Sequence, residues 1–100
     1  MPFDQPFPRS FTASSVRENA PALSGVYGIS NGSWWIYIGE TDNIQAALMH
    51  LLEEPVTTAP DRRPTGFVFE ICDRVQRLAR QDRLVLEYEP VCNRHWSRHR

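Results

Sequence analysis

Two short runs of apolar residues on either side of a polar turn predict a β-hairpin in the first half of the chain. Residues 26–29 and 34–38 are rich in β-branched and aromatic side chains, a composition typical of strands. They flank Asn31-Gly32, a dipeptide that type I′ hairpin turns favour. A third run of this kind, residues 66–72, holds large apolar side chains at alternate positions: Phe67, Phe69 and Ile71. We therefore expect three strands.

Helical spacing of apolar residues predicts two helices, one before and one after the third strand. Residues 44–52 carry apolar side chains three and four positions apart, which places them on one helix face. Asp42 is the expected N-cap, and Gln45 completes a capping box. Residues 74–89 contain no helix breaker before Pro90. Their predicted buried face consists of Val75, Leu78, Ala79, Asp82, Val85 and Leu86.

The order of these elements is ββαβα, which indicates an α+β protein with a small three-stranded antiparallel β-sheet flanked by helices. Residues 1–24 contain four prolines and are expected to form an irregular arm with one short helix near residues 14–19. Residues 25–93 form the expected domain, and residues 94–100 form a basic tail. A chain of 100 residues is long enough for one domain with its own core.

The charge balance excludes a protein that binds nucleic acid through a global positive field. Eleven basic and twelve acidic residues give a formal net charge of −1, so any contact with phosphate has to be local. No apolar run approaches the roughly 20 residues that cross a bilayer. The first residues do not resemble a signal peptide. We therefore expect a cytoplasmic protein with no membrane partner.

The cysteines leave open a metal site near the end of the chain. Cys92, His95 and His99 have spacings found in metal sites, and Cys72 is a candidate fourth ligand. The simpler interpretation, which we favour, is a basic tail with two free cysteines and no disulfide.

Two glycine-aromatic phrases face each other across the predicted turn: Gly25-Val26-Tyr27 and Tyr37-Ile38-Gly39. Adjacent strands bring the two tyrosines close together, each beside a glycine that admits another backbone or a phosphate. Asn43-Ile44 and His50 follow on the first predicted helix, and Pro90-x-x-Asn93 ends the domain. The order and spacing of these phrases resemble the GIY-YIG nuclease superfamily.

The resemblance implies a metal-dependent phosphodiesterase that acts on nucleic acid, with DNA as the expected partner. It implies catalytic roles for Tyr27, Tyr37 and His50, and phosphate binding beside Gly25 and Gly39. It also implies a Mg²⁺ ion held by a glutamate of the second helix. In-line attack on a phosphodiester needs a nucleophile, a positioned phosphate and a cation on the developing charge. From the residues alone, the tyrosines fit packing equally well, and His50 fits the polar edge of a helix.

Two positions depart from the family pattern. The family's arginine in Asn-Leu-x-x-Arg falls on Ala47, and its metal-binding glutamate, nine residues before the proline of Pro-x-x-Asn, falls on Gln81. The first change removes a cation, and the second replaces a carboxylate by a neutral amide that supplies no charge to Mg²⁺. The candidate replacement ligands are Asp82 and Glu40. Asp82 is more simply explained as an inward carboxylate paired with an arginine or with backbone N–H groups.

Two hypotheses follow from these departures. The first, which we favour, is a nuclease-fold protein that no longer cleaves and instead binds nucleic acid or a protein partner. The second is an active Mg²⁺-dependent endonuclease with a rearranged site that uses Asp82 or Glu40. The two hypotheses differ in whether the purified protein cleaves DNA when Mg²⁺ is present.

Overall fold

A computed structural model describes residue 3 and residues 7–32, 34–53 and 64–93 of the chain. Most of the chain between the first predicted long helix and the third predicted strand lies outside these residues. The predicted basic tail, with His95 and His99, lies outside them as well. The described part contains four strands and three helices.

The strands form one antiparallel sheet in the order β1-β4-β2-β3. Their bounds are Arg9–Ser10 for β1, Gly25–Asn31 for β2, Trp34–Thr41 for β3 and Gly66–Ile71 for β4. The predicted α+β class is confirmed, and β2, β3 and β4 are the three predicted strands. The additional strand β1 comes from the segment that we expected to be an irregular arm. Two residues are too few to show an alternating pattern.

Three helices cover the two faces of the sheet: α1 at Ala13–Asn19, α2 at Ile44–Glu53 and α3 at Arg77–Tyr88. Helices α1 and α2 pack on the face that carries Tyr27 and Tyr37, which we call the tyrosine face. Helix α3 packs on the opposite face, the α3 face. Within the described residues, none of these helices is long and apolar enough to cross a bilayer.

Buried apolar residues form one cluster on each face, so the central strand β2 is buried at every position from Gly25 to Ser30. The tyrosine-face cluster consists of Phe11, Val16, Ala20, Tyr27, Ile29, Ile36, Ile44, Leu48, Leu51 and Phe67. The α3-face cluster consists of Phe3, Val26, Ile38, Val68, Leu84 and Val85. The sheet is therefore the middle layer of a three-layer domain.

The hairpin turn begins one residue later than the Asn-Gly dipeptide predicts. Asn31 still pairs with Trp34, so it is the last residue of β2. Gly32 follows in the left-handed region, with a φ of 57°, where a side chain would be strained. Glycine is therefore the residue of the dipeptide that the turn requires.

The predicted cap of α2 is wrong by one residue. The side-chain oxygen of Asn43 accepts a hydrogen bond from the N–H of Ala46 at 2.9 Å, so Asn43 caps the helix and Asp42 does not. Gln45 does not complete a capping box either. Its amide donates to the carbonyl of Ala20 at 3.1 Å, which ties α2 to the end of α1.

Helix α3 is rotated away from the face that its sequence predicts. The residues that it buries are Gln81, Leu84 and Val85. The predicted buried face instead includes four exposed residues. Val75, Leu78 and Leu86 are 88%, 50% and 77% exposed, and Ala79 is exposed as well. The predicted apolar stripe is therefore wrong for most of its length.

Two ion pairs hold α3 in this rotation. Arg77 Nε donates to Glu40 Oε1 on β3 at 2.6 Å. Arg80 donates to both carboxylate oxygens of Glu70 on β4, at 2.6 and 2.8 Å, the bidentate geometry that arginine favours. Because these anchoring groups are charged, a search for apolar spacing could not identify the face that they turn towards the sheet.

Part of the expected arm packs against the sheet. Phe3 is only 2% exposed, and its ring lies 6.0 Å from that of Trp35 and 5.6 Å from that of Tyr88, measured between centroids. The short helix expected near residues 14–19 is present as α1, which buries Val16 completely. These contacts fix the N-terminal residues to both faces of the sheet.

Candidate functional site

The two tyrosines of the glycine-aromatic phrases lie side by side on the tyrosine face. Tyr27 on β2 and Tyr37 on β3 have ring centroids 6.1 Å apart, and their side chains share a hydrogen bond. Tyr27 is buried and Tyr37 is half-buried. The structure therefore brings together the two residues that the motif singles out.

Gly39 provides the space that Tyr27 occupies. A Cβ atom at position 39 would lie 2.5 Å from the hydroxyl oxygen of Tyr27 and 2.9 Å from a ring carbon of Tyr37. Gly39 pairs directly with Tyr27 across the two strands, so any side chain there would push the tyrosine out of its position. Gly39 of the second phrase thus leaves the space that Tyr27 of the first phrase needs.

Close packing requires a glycine at position 25 as well, but against different neighbours. A Cβ atom there would collide with the backbone carbonyl of Glu70 on β4 and would lie 2.7 Å from Cδ1 of Ile44 on α2. Close approach of protein atoms therefore explains both Gly25 and Gly39. Phosphate binding at these glycines stays a prediction.

Burial keeps both tyrosines protonated at neutral pH. Desolvation raises the pKa of Tyr27 well above its ordinary value, and the neighbouring Tyr37 and Glu40 raise this pKa further. Burial likewise raises the pKa of Tyr37, and the charge of Glu40 adds to the effect. A phenol with a raised pKa is a hydrogen-bond donor at neutral pH and a poor base. The pair is thus better suited to holding an acceptor than to deprotonating a water.

Helix α2 presents no cation at the position where the family has its arginine. Ala47 is half-buried and packs against the tyrosine-face cluster. Counted in full from Asn43, the family pattern Asn-Leu-x-x-Arg-Leu-x-x-His places its histidine on Leu51, one residue after His50. Leu51 is only 5% exposed, whereas His50 is exposed. The catalytic role of His50 stays a prediction, and the motif count does not support it.

Gln81 and Asn93 converge on the backbone of Ile38, the middle residue of the second phrase. The amide of Gln81 donates to the Ile38 carbonyl at 3.0 Å, and the amide of Asn93 donates to the same oxygen at 2.9 Å. The side-chain oxygen of Asn93 accepts from the Ile38 N–H at 2.6 Å. We call these three bonds the Ile38 clamp. Gln81 and Asn93 are 2% and 0% exposed, so the clamp is inaccessible to solvent.

The Ile38 clamp belongs to a longer contact along the outer edge of β3. After α3, the N–H of Val91 donates to the carbonyl of Trp35 at 3.0 Å, and the N–H of Cys92 donates to that of Ile36 at 2.8 Å. Residues 91–93 thus pair with the edge of β3 although they form no regular strand. The family resemblance pointed to Asn93 as a motif residue, but the sequence carries no signal for this pairing.

The described residues do not fit a Mg²⁺ ion. The side-chain oxygen of Gln81 is buried and has no hydrogen-bond partner in the described part of the chain, but it is a single neutral ligand. Glu40 is bound to Arg77. Asp82 is half-buried, lies about 100° round α3 from Gln81, and already interacts with another group. No three His, Cys, Asp or Glu side chains among the described residues are placed to hold a metal. Mg²⁺ sites normally include at least one carboxylate.

Comparison with known proteins supports the fold at the level of structure, not of sequence. No family model matches the sequence, and no curated protein matches it. Among solved structures, the chain is similar to the GIY-YIG N-terminal endonuclease domain of UvrC from Thermotoga maritima, bound to its catalytic magnesium. This match has 22% identity and a TM-score of 0.58, and covers 78% of this chain and 94% of that one.

Two point mutants of that UvrC domain, each bound to its catalytic divalent cation, give comparable matches. A tyrosine-to-phenylalanine mutant has 18% identity and a TM-score of 0.61, with 78% of this chain and 94% of that one covered. An asparagine-to-alanine mutant has 20% identity and a TM-score of 0.59, with 77% and 92% covered. The nuclease-type architecture predicted from the two phrases is thereby confirmed, and this chain has the GIY-YIG endonuclease fold.

Proposed function

We propose that this protein is a GIY-YIG-fold binding module that has lost phosphodiester hydrolysis and retains a contact surface for nucleic acid or for a protein. The main observation behind the proposal is the position and hydrogen bonding of Gln81. It stands where the family has its metal-binding glutamate, is 2% exposed, and donates to the Ile38 carbonyl. Its amide nitrogen is taken up by this hydrogen bond, and its remaining oxygen offers a metal ion only one neutral ligand in place of a carboxylate.

The loss of positive charge on α2 supports the same conclusion. Phosphodiester hydrolysis builds negative charge on the phosphate, which a metal ion and nearby cations must stabilise. Ala47 supplies no cation. The guanidinium of Arg77 is bound to Glu40 and to the hydroxyl of Ser24. Losing both the metal ligand and the cation removes several kcal/mol of transition-state stabilisation in each case, about a hundredfold or more in rate.

The expected nucleic-acid partner is DNA, because the fold is that of an endonuclease domain. Two arginines of α3 are unsuited to phosphate contacts, since Arg77 and Arg80 are bound to carboxylates. Among the described residues, the exposed arginines outside these pairs are Arg9, Arg17, Arg74 and Arg83. With a net charge of −1 over the whole chain, we expect DNA binding to be weak and to fall steeply as salt is added.

One observation favours the alternative, an endonuclease that uses a rearranged site with Asp82 or Glu40. Glu40 lies near enough to the tyrosine pair for its charge to raise both pKa values. A cation bound at Glu40 would lie on the α3 face, where Glu40 meets Arg77, and would act on the tyrosines across the sheet through its charge. Such binding would have to displace Arg77 from Glu40, a contact of 2.6 Å, which is why we place this alternative second.

The test is cleavage of labelled single-stranded, duplex and branched DNA with Mg²⁺ or Mn²⁺. We expect no cleavage by the wild type. Ala47→Arg/Gln81→Glu restores both family residues, and metal-dependent cleavage by this variant would mean that the site lacks only these two parts. A matched control is Ala46→Arg/Gln76→Glu, which adds the same side chains at exposed positions of the same two helical regions. Cleavage by the wild type that Tyr27→Phe abolishes would refute the proposal, and its loss in Glu40→Gln or Asp82→Asn would identify the metal ligand.

A further inference from the structure

Strand β4 has an outer edge that the rest of the described chain leaves largely open. Among the described residues, strand β1 pairs only with Gly66 and Phe67. β4 itself continues to Ile71. Residues 68–71 therefore lack a strand partner on their outer side within the described residues.

The direction of the backbone groups along this edge follows from two hydrogen bonds. The N–H of Cys72 donates to Ser24, just before β2, and the carbonyl of Thr65 accepts from Phe11, just after β1. Successive residues of an antiparallel strand direct their N–H and C=O groups to opposite neighbours. Even-numbered residues of β4 thus bond towards β2, and Phe69 and Ile71 direct their backbone groups outwards.

The side chains beside the open edge are apolar or already neutralised. A cleft of about 380 Å³ runs along β4 and is lined by residues that include Phe7, Phe69 and Ile71. Phe7 and Ile71 are 83% and 57% exposed. The two charged residues that line the cleft, Arg9 and Glu70, bond to Asn19 and Arg80. A strand that fills this cleft needs apolar side chains and no net charge.

Several usual protections of an edge strand are missing from residues 68–71. Monomeric proteins protect exposed edges with charged side chains, proline, a β-bulge or a covering loop. Residues 68–71 include no lysine and no proline, their pairing with β2 is regular, and the charge of Glu70 is paired with that of Arg80. By contrast, residues 91–93 cover the outer edge of β3 at the other side of the sheet.

We propose that the open edge of β4 pairs with the β4 edge of a second copy of this chain. An antiparallel pair related by a twofold axis at Glu70 places Phe69 opposite Ile71 of the second copy. Both residues direct their backbone groups outwards, so each would exchange N–H and C=O bonds with its counterpart. The pairing ends where β1 begins at Phe67. The result is one continuous sheet that runs through both copies.

Charge complementarity supports the second copy over a foreign strand. The twofold axis brings Glu70 next to Glu70 of the second copy, which would be repulsive for bare carboxylates. Each carboxylate, however, is held by a bidentate Arg80, so two neutral pairs meet and each arginine can also attract the other glutamate. The apolar residues Phe69 and Ile71 complement each other on the opposite side of the sheet.

The first test is the molar mass of the purified full chain by light scattering and sedimentation over a range of concentrations. We expect a reversible dimer for the wild type. Ile71→Lys, which adds a charge at the edge, should weaken the dimer by about thirtyfold or more. Leu86→Lys adds the same charge at an exposed position on α3 and should leave the dimer intact. A monomeric wild type at about 100 μM, well above the μM affinities of weak specific complexes, would overturn the proposal and leave the edge to a foreign strand.

The second test measures the register directly and does not depend on how Ile71→Lys folds. In a Cys72→Ser/Cys92→Ser background, Glu70→Cys should form a disulfide-linked dimer under mild oxidation, because directly opposed residues at such a position bring their Cβ atoms close together. Glu40→Cys is the matched control, since it also removes an arginine ion pair but lies on β3. A dimer in which only Glu40→Cys cross-links would refute this interface. Both tests are independent of whether the protein cleaves DNA.

Discussion

The two outer edges of the sheet differ in how the chain treats them. At β3, backbone N–H groups of Val91 and Cys92 and the side chain of Asn93 bond to the edge, and Gln81 adds a further donor. At β4, among the described residues, only the short β1 pairs with the edge. Asn93 keeps a motif residue of the family that the chain resembles, whereas Gln81 replaces the family's glutamate, and both bond to the backbone of the β3 edge. A residue at a motif position can thus support the fold directly.

The largest expected effect comes from opening the closed edge at Asn93. Asn93→Ala removes the acceptor of the Ile38 N–H and one donor to the Ile38 carbonyl. An unpaired buried N–H carries most of its desolvation cost, so we expect a loss of about 3 kcal/mol in the free energy of unfolding. Urea denaturation measures it. Asn43→Ala, which removes only a helix cap, should lose about 1 kcal/mol, and a similar loss for both variants would argue against the clamp.

Gln81→Glu should weaken the same edge by a smaller amount. A carboxylate cannot donate to the Ile38 carbonyl, and a buried charge is unfavourable, so we expect a loss of about 2 kcal/mol at neutral pH. Because burial raises the pKa of such a glutamate in the folded state, the loss should grow as the pH rises above about 4.3, the value in the unfolded chain.

Addition of Mg²⁺ distinguishes a structural from a metal-binding position 81. We expect thermal stability of Gln81→Glu alone to be unchanged by Mg²⁺, since no carboxylate partner lies beside it in the described residues. Gln76→Glu, exposed before α3, is the control and should be close to neutral. Stabilisation of Gln81→Glu alone by Mg²⁺ would mean that the position still forms a metal site and would weaken the proposed function.

Hydrogen exchange compares the two edges without unfolding the protein. The N–H of Ile38 is buried and bonded to Asn93, so it should exchange slowly at every protein concentration. The N–H groups of Phe69 and Ile71 should exchange rapidly in the monomer and slow down as the concentration rises. In Ile71→Lys, the exchange of Phe69 should lose its dependence on concentration. Equal protection of Ile38 and Phe69 in a monomeric sample would contradict the difference between the edges.

The smallest effect at neutral pH is expected at Tyr27, in the strand between the two edges. Since burial raises its pKa, Tyr27 stabilises the fold as a neutral phenol below about pH 10, the value of an unfolded tyrosine, and this contribution decreases as the pH rises further. Tyr27→Phe should lose about 1 kcal/mol at neutral pH, the value of one hydrogen bond. It should also flatten the alkaline decrease in stability. If stability decreases at alkaline pH to the same extent in Tyr27→Phe as in the wild type, the decrease must come from another group.

The sequence predicted what depends on local pattern and missed what depends on tertiary contacts. The hairpin, β4 and α2 follow from apolar spacing, and the two glycine-aromatic phrases were sufficient to predict the fold. The predicted buried face of α3 was wrong because the ion pairs of Arg77 and Arg80 orient the helix. The role of Asn93 was missed because its partner Ile38 is far away along the chain.

The same separation has a consequence for the order of folding. Ile38 and Asn93 are 55 residues apart, so the contacts that close the β3 edge carry a large loop-closure cost and form late. The local hairpin of β2 and β3 forms earlier. A chain in which residues 91–93 have not yet docked exposes the β3 edge, and we expect such a chain to be prone to aggregation. Variants that slow this last step should lower the yield of folded protein even when their native state is stable.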